Sequence, residues 1–157
     1  IREREAIPYS LVQLDDGYQK DIGDWLETNE KFPSLDEIAS MIKEGGFTAG
    51  LWLAPFSVSE TSEIFSDHND WLVRGLDGKP KLAYRNWQKN IYALDVTNPE
   101  AAEHLYKTMR RLREAGFEVE LQVVPSDTER GSQGVLEVEG DVGVAADAVG
   151  GIGVEGG

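Results

Sequence analysis

Two apolar runs do most to restrict what this chain can fold into: YSLVQL at residues 9–14 and FTAGLWLA at residues 47–54. Each reads as a buried strand, and a well-marked helix lies between them. Ser34 and Glu37 form a capping box at its start, Leu35, Ile38, Ala39 and Ile42 share one face, and Gly45 with Gly46 ends it. Strand, helix and strand in that order, with apolar rather than alternating strands, imply a parallel sheet covered by helices. Pro55 closes the second run, and a long excursion follows. It is expected to hold a short helix after Ser59 and a hairpin-like stretch turning at Asp77-Gly78. Thr97 and Glu100 read as a second capping box, with Pro99 in the first turn and Ala102, Leu105, Tyr106, Met109 and Leu112 on one face up to Gly116. Residues 1–6 look like the tail of an earlier helix, and a further strand should follow Gly116.

The order is therefore strand, helix, strand, excursion, helix, strand. In parallel sheets of this kind, chemistry gathers at the carboxyl ends of the strands. At 157 residues the chain supports one ordinary domain but not a complete eight-fold barrel of about 250 residues. Because it does not begin with Met, it is expected to start inside a longer reading frame. The net charge of −14 argues against nucleic acid and anionic membranes as partners, since both would be repelled. With no cysteine and two separated histidines, neither a disulfide nor a zinc cluster is expected, and His68 and His104 are assigned no chemistry. No apolar run reaches the length of a membrane span and no signal peptide opens the chain, so a soluble cytoplasmic protein is expected.

Two kinds of sequence meet near residue 118. All fourteen aromatics lie at or before Phe117, whereas residues 118–157 hold nine acidic side chains against the single basic Arg130. Nine of the last 27 residues are glycine, leaving too little apolar bulk to offset ordering entropy. Residues 1–117 are read as one partial domain and residues 118–157 as a divergent, disordered tail.

The candidate site starts from Asp15 and Asp16, placed directly after the first strand. Neighbouring carboxylates there can each accept hydrogen bonds from vicinal hydroxyls, which suits them to gripping a sugar. Taken alone, the triplet Asp15-Asp16-Gly17 favours a turn. Trp52, in the second strand, offers a flat face for sugar C–H groups, although a strand tryptophan also serves as core. Arg85 in YRNWQKN can hold a hydroxyl or carboxylate, or be a solvated charge. Trp25, Trp71 and Trp87 read most simply as core or rim.

These residues lie within three longer runs, VQLDDGYQKDIGDWLETNEKFPS, GFTAGLWLAPFSVSETSEIFSDHNDWLVR and YRNWQKNIYALDVTNPEA. Together they closely resemble the catalytic domain of microbial α-galactosidases (melibiases) of glycoside hydrolase family 36, over roughly residues 1–117. The resemblance implies a fragment of a (β/α)8 TIM barrel, about strands 2 to 4. It also implies hydrolysis of terminal α-D-galactosyl residues with retention of configuration, on substrates such as melibiose or raffinose. It further implies Asp15 and Asp16 as ligands of the galactose hydroxyls, Trp52 as a lining residue, Arg85 as a further sugar ligand, and no metal or organic cofactor. Full-length relatives often associate.

The resemblance breaks after LREAGF. Family members continue into a strand of the type YFKIDFL, whose Lys binds sugar and whose Asp is the nucleophile, whereas this chain reads EVELQVVPS. Counting from Gly116, those positions fall on Leu121 and Val123. The alternation of polar and apolar residues from Glu118 to Val123 also suits a half-solvated strand better than a barrel strand. The expectation is a frame-shifted or incomplete α-galactosidase without hydrolysis of its own. The alternatives are a non-catalytic galactoside-binding fragment, and a fragment whose open edges prevent stable folding.

Overall fold

The computed structural model describes residues 9–122 and 135–136; the expected helix tail at 1–6, Val123 and the tail residues 137–157 lie outside the described residues. The elements, in chain order, are β1 (Leu11–Leu14), α1 (Leu35–Glu44), β2 (Thr48–Leu53), β3 (Ser57–Ser59), α2 (Glu63–Asp67), a 3-10 turn (Asn69–Trp71), β4 (Leu82–Asn86), β5 (Lys89–Ala93), α3 (Pro99–Ala115), β6 (Glu118–Gln122) and β7 (Val135–Leu136).

β1, β2 and β6 form a parallel sheet in that spatial order, with Leu14 opposite Leu51 and Leu53 opposite Leu121. β7 pairs antiparallel on the far side of β6. Strands that are successive in the helix-connected path are neighbours in space, so the sheet advances in one direction. A doubly wound sheet would reverse from its starting strand; a steady advance is how a barrel grows. Alternation places Ala49, Leu51 and Leu53 on one face of β2 and Gly50 and Trp52 on the other. All five are buried, as the unbroken apolar run requires. Gly50 suits this close fit, since a Cβ there would lie 3.2 Å from the side chains of Leu11 and Gln13, which would have to give way by a few tenths of an ångström.

α1 begins with the expected capping box: Ser34 Oγ accepts from the Glu37 N–H, and the Glu37 carboxylate accepts from the Ser34 N–H at 3.0 Å. Leu35, Ile38 and Ala39 are buried, as are Leu105, Met109 and Leu112 of α3. Two details differ from the sequence reading. The cap of α3 is Asn98, whose Oδ1 accepts from the Glu100 N–H at 2.9 Å, while Thr97 donates its hydroxyl to Asp95. The helix therefore starts one residue later than the Thr97 box placed it, and its buried face turns to Ala101, Leu105, Thr108, Met109 and Leu112, leaving Tyr106 exposed.

The excursion between β2 and α3 is a second, antiparallel sheet in the order β3-β5-β4. The hairpin-like stretch expected around Asp77-Gly78 forms: Gly78 has φ 75°, Arg74 pairs antiparallel with Pro80, and the Gly75 and Lys81 N–H groups donate to the carbonyls of Lys79 and Val73. A second hairpin lies beyond it. It joins β4 to β5 through Trp87 and Gln88, both at positive φ (50° and 59°). A two-residue hairpin turn with φ > 0 at both central positions is usually supplied by Asn-Gly, so a Trp-Gln turn carries no sequence signal. Residues 118–122 also depart from expectation, because they take a full parallel register against β2 despite their polar alternation. Backbone pairing with β2 places the strand.

Candidate functional site

β1 ends at Leu14, and Asp15 and Asp16 follow at the carboxyl end of the parallel sheet, both exposed. Asp15 Oδ1 accepts from the Asp16 N–H at 2.8 Å, and Gly17 at φ 99° turns the chain away. The turn is then tied down, with Gln19 Oε1 accepting from the Gly17 N–H and Asn29 donating to the Gly17 carbonyl at 2.7 Å. The carboxylates are therefore held by a turn and also presented at the sheet end. Each keeps one oxygen without a hydrogen-bond partner among the described residues.

Trp52 lies one step past the Leu14–Leu51 register pair and is 7% exposed. Its ring meets Trp25 edge-on at 6.0 Å and Trp87 edge-on at 6.0 Å; Tyr84 is 6.5 Å from Trp87. Edge-to-face contacts of this kind hold aromatic walls at fixed angles. The Tyr18 hydroxyl reaches the Trp52 carbonyl at 3.4 Å, and burial pushes its phenol well up, so it stays protonated.

Trp87 is the residue the sequence reading placed too modestly. Its Nε1–H donates to Asp16 Oδ2 at 2.6 Å, bringing the hairpin tip onto the sheet end. Arg85 sits two residues earlier on the same hairpin and is exposed; its Nε donates to Asn90 Oδ1 at 3.0 Å, and Asn90 in turn donates to Glu60. The structure thus draws Asp15, Asp16, Trp52 and Trp87 together. Arg85 shares the hairpin, but its hydrogen bond goes to Asn90 and not to either aspartate.

The hairpin is fixed by a polar cluster that the sequence pattern did not signal. Lys89, directly after the turn, donates to both oxygens of Asp21 at 2.7 and 2.8 Å. Asp21 also accepts from Ser59 Oγ, Thr61 Oγ1 and the Ile22 N–H. Burial opposes ionisation of Asp21, but the bonds from Lys89, Thr61, Ser59 and Ile22 outweigh it and hold the carboxyl below its ordinary range. Nearby, burial raises Asp24, which accepts from the Glu63 N–H at the start of α2. Tyr84 Oη and Ser57 Oγ, 2.7 Å apart, add a further tie between β4 and β3.

Among the described residues no group of three or more His, Cys, Asp or Glu is placed to hold a metal ion, and no helix is long and apolar enough to cross a membrane. A separate open cavity of about 550 Å³ lies between the ends of α1 and α3, lined by Leu26, Asp36, Arg111 and Leu112 among others. The Arg111–Asp36 ion pair, at 2.6 Å, lies on its wall.

The family model described as Melibiase matches residues 10–135. The chain belongs to the melibiase family. It is 31% identical over 116 residues to the α-galactosidase AgaA of Geobacillus stearothermophilus, covering 69% of this chain and 15% of that protein. It is 32% identical over 106 residues to the myogenesis-regulating glycosidase of Mus musculus, covering 66% of this chain and again 15% of that protein. The solved structure of TtGalA, the α-galactosidase of Thermus thermophilus in complex with p-nitrophenyl α-D-galactopyranoside, superposes with a TM-score of 0.70. That match has 38% identity and covers 77% of this chain and 25% of that one. The same enzyme has been solved with stachyose. The chain thus spans a minor part of each melibiase relative, and the matched part contains β1 to β6 with the four residues gathered at the sheet end.

Proposed function

We propose that this chain carries the galactose-gripping part of an α-galactosidase, with Asp15 and Asp16 as acceptors for sugar hydroxyls, Trp52 as the apolar wall and Arg85 as a further polar ligand. The observation that carries the reading is the convergence of the paired carboxylates with a Trp52–Trp87 aromatic corner at the carboxyl end of a parallel sheet. Acceptors beside a flat apolar face match the two sides of a pyranose, its hydroxyls and its C–H groups. The α-galactoside complexes of the Thermus relative support the choice of sugar.

The same reading assigns this chain no turnover of its own. Retaining hydrolysis needs a carboxylate nucleophile on one side of the anomeric carbon and a carboxylic acid on the other. The positions where the family carries its Lys and nucleophile fall on Leu121 and Val123, neither of which can donate a proton or attack carbon. In this view the backbone keeps the barrel strand at β6 while its side chains have changed, and the change of sequence character near residue 118 reflects a shifted frame. A downstream K-x-D strand in another frame of the encoding DNA supports that origin; its absence from every frame refutes it.

Calorimetric titration of the 157-residue chain with melibiose tests the binding half of the reading. Saturable binding that is weakened in Asp16→Ala supports it. Equal heats for the two proteins, or no heat from a folded chain, refute it.

A further inference from the structure

We propose that Trp87 is a positioning residue of this site, acting through Asp16: its indole N–H fixes the orientation of the carboxylate that receives the sugar. The inference rests on the galactoside reading above and adds a role for a residue outside the Asp15, Asp16, Trp52 and Arg85 set. Three observations meet on it. Nε1–H to Oδ2 is 2.6 Å, short for a bond to an ionised acceptor, and it ties one carboxylate oxygen while leaving the other for a ligand. Trp87 and Gln88 hold positive φ without glycine, a conformation that persists only where surrounding contacts impose it. Those contacts are on either side of the turn: Lys89 bonded to both oxygens of Asp21, and the Trp87 ring set edge-on to Trp52.

An exposed aspartate on a turn would otherwise sample several rotamers, and ordering it would be charged against every ligand that binds. The Trp87 bond removes that freedom beforehand. The contribution of the indole N–H passes through Asp16, separately from what the ring contributes to the aromatic corner with Trp52.

Two readouts on the full chain test this. The first is the assigned indole N–H resonance of Trp87 in the wild type and in Asp16→Ala, which needs no change at Trp87 itself. The second is melibiose affinity in wild type, Trp87→Phe, Asp16→Ala and the double variant. The expected result is a displaced indole resonance in Asp16→Ala, about ten-fold weaker binding in Trp87→Phe, and a double variant no weaker than Asp16→Ala alone. An indole resonance indifferent to Asp16 overturns the inference, as does an unchanged affinity in Trp87→Phe or an equal loss from Trp87→Phe in the Asp16→Ala background. A wild type that binds no melibiose, yet shows the Asp16-dependent resonance, overturns the galactoside reading and supports the orienting contact.

Discussion

Replacing Lys89 by Met should loosen the hairpin that carries Trp87, and its size follows from how the Asp21–Lys89 pair is buried. The Asp21 side chain is 10% exposed and that of Lys89 is 34% exposed. Removing one partner of a fully buried pair costs about 3–5 kcal/mol, whereas an exposed pair contributes about 0–1 kcal/mol. After Lys89→Met the carboxylate keeps Ser59 Oγ, Thr61 Oγ1 and the Ile22 N–H, so it is not orphaned. A loss of about 2 kcal/mol is therefore expected, together with a coupling of about 1–2 kcal/mol between Lys89→Met and Asp21→Asn. Urea unfolding of the two single variants and the double gives that coupling, read from midpoints at constant m. Because the folded Asp21 carboxyl lies below its unfolded value, the stabilisation is present above about pH 4. It fades as pH falls from there through the folded value, and Asp21→Asn should remove that limb. A coupling below about 0.3 kcal/mol, typical of a solvated pair, would refute the claim that this cluster holds the hairpin.

Further expectations concern the helix cap, a half-buried histidine and the strained turn. Asn98→Ala should destabilise by about 1 kcal/mol and Thr97→Ala by less than about half of that; the reverse ranking in thermal melts would restore Thr97 as the cap of α3. Burial lowers the pKa of His104, helped by His68 and Lys107. The unfolded chain therefore takes up its proton first, and stability should fall as pH drops below about 6.5. His104→Gln should flatten that slope, and an unchanged slope would refute the assignment. Gln88→Gly relieves about 1–2 kcal/mol of left-handed strain and gives back about 0.5–1 kcal/mol in unfolded-chain entropy. The expected outcome is a net gain of about 0.5 kcal/mol in denaturant unfolding, and a net loss would show that the turn is not strained.

Where the fold was legible in sequence, a single local rule sufficed. FTAGLWLA is buried by its own composition and the Ser34–Glu37 box is a contact between residues three apart, so β2 and α1 could be read directly. YSLVQL was rightly read as a strand but not as a buried one: no residue from Leu11 to Leu14 is buried, because β1 is the outermost strand of the described sheet. The α3 cap was misread by one residue because Thr97 and Asn98 are both good caps and only the geometry at Asp95 engages one of them. The β4–β5 turn was missed because its residues lack intrinsic preference for positive φ; the Asp21 cluster and the Trp52 contact, formed with distant residues, accompany that conformation. The site divides in the same way. Asp15 and Asp16 were visible as neighbours at a strand end, whereas the bond from Trp87 spans 71 positions and has no local trace. Arg85 was drawn from resemblance, and its bond to Asn90 is a cross-strand pair of the hairpin.

The most direct test of the central claim, a galactoside grip without turnover, is exposure of the folded 157-residue chain to p-nitrophenyl α-D-galactopyranoside while both nitrophenolate release and tryptophan emission are followed. The account expects a saturable change in emission that Asp16→Ala shifts to higher ligand concentration, with no release of nitrophenolate. Release by the wild type that Asp16→Ala loses would contradict it, because a nucleophile would then have to exist where Val123 has been placed or at another carboxylate of the chain.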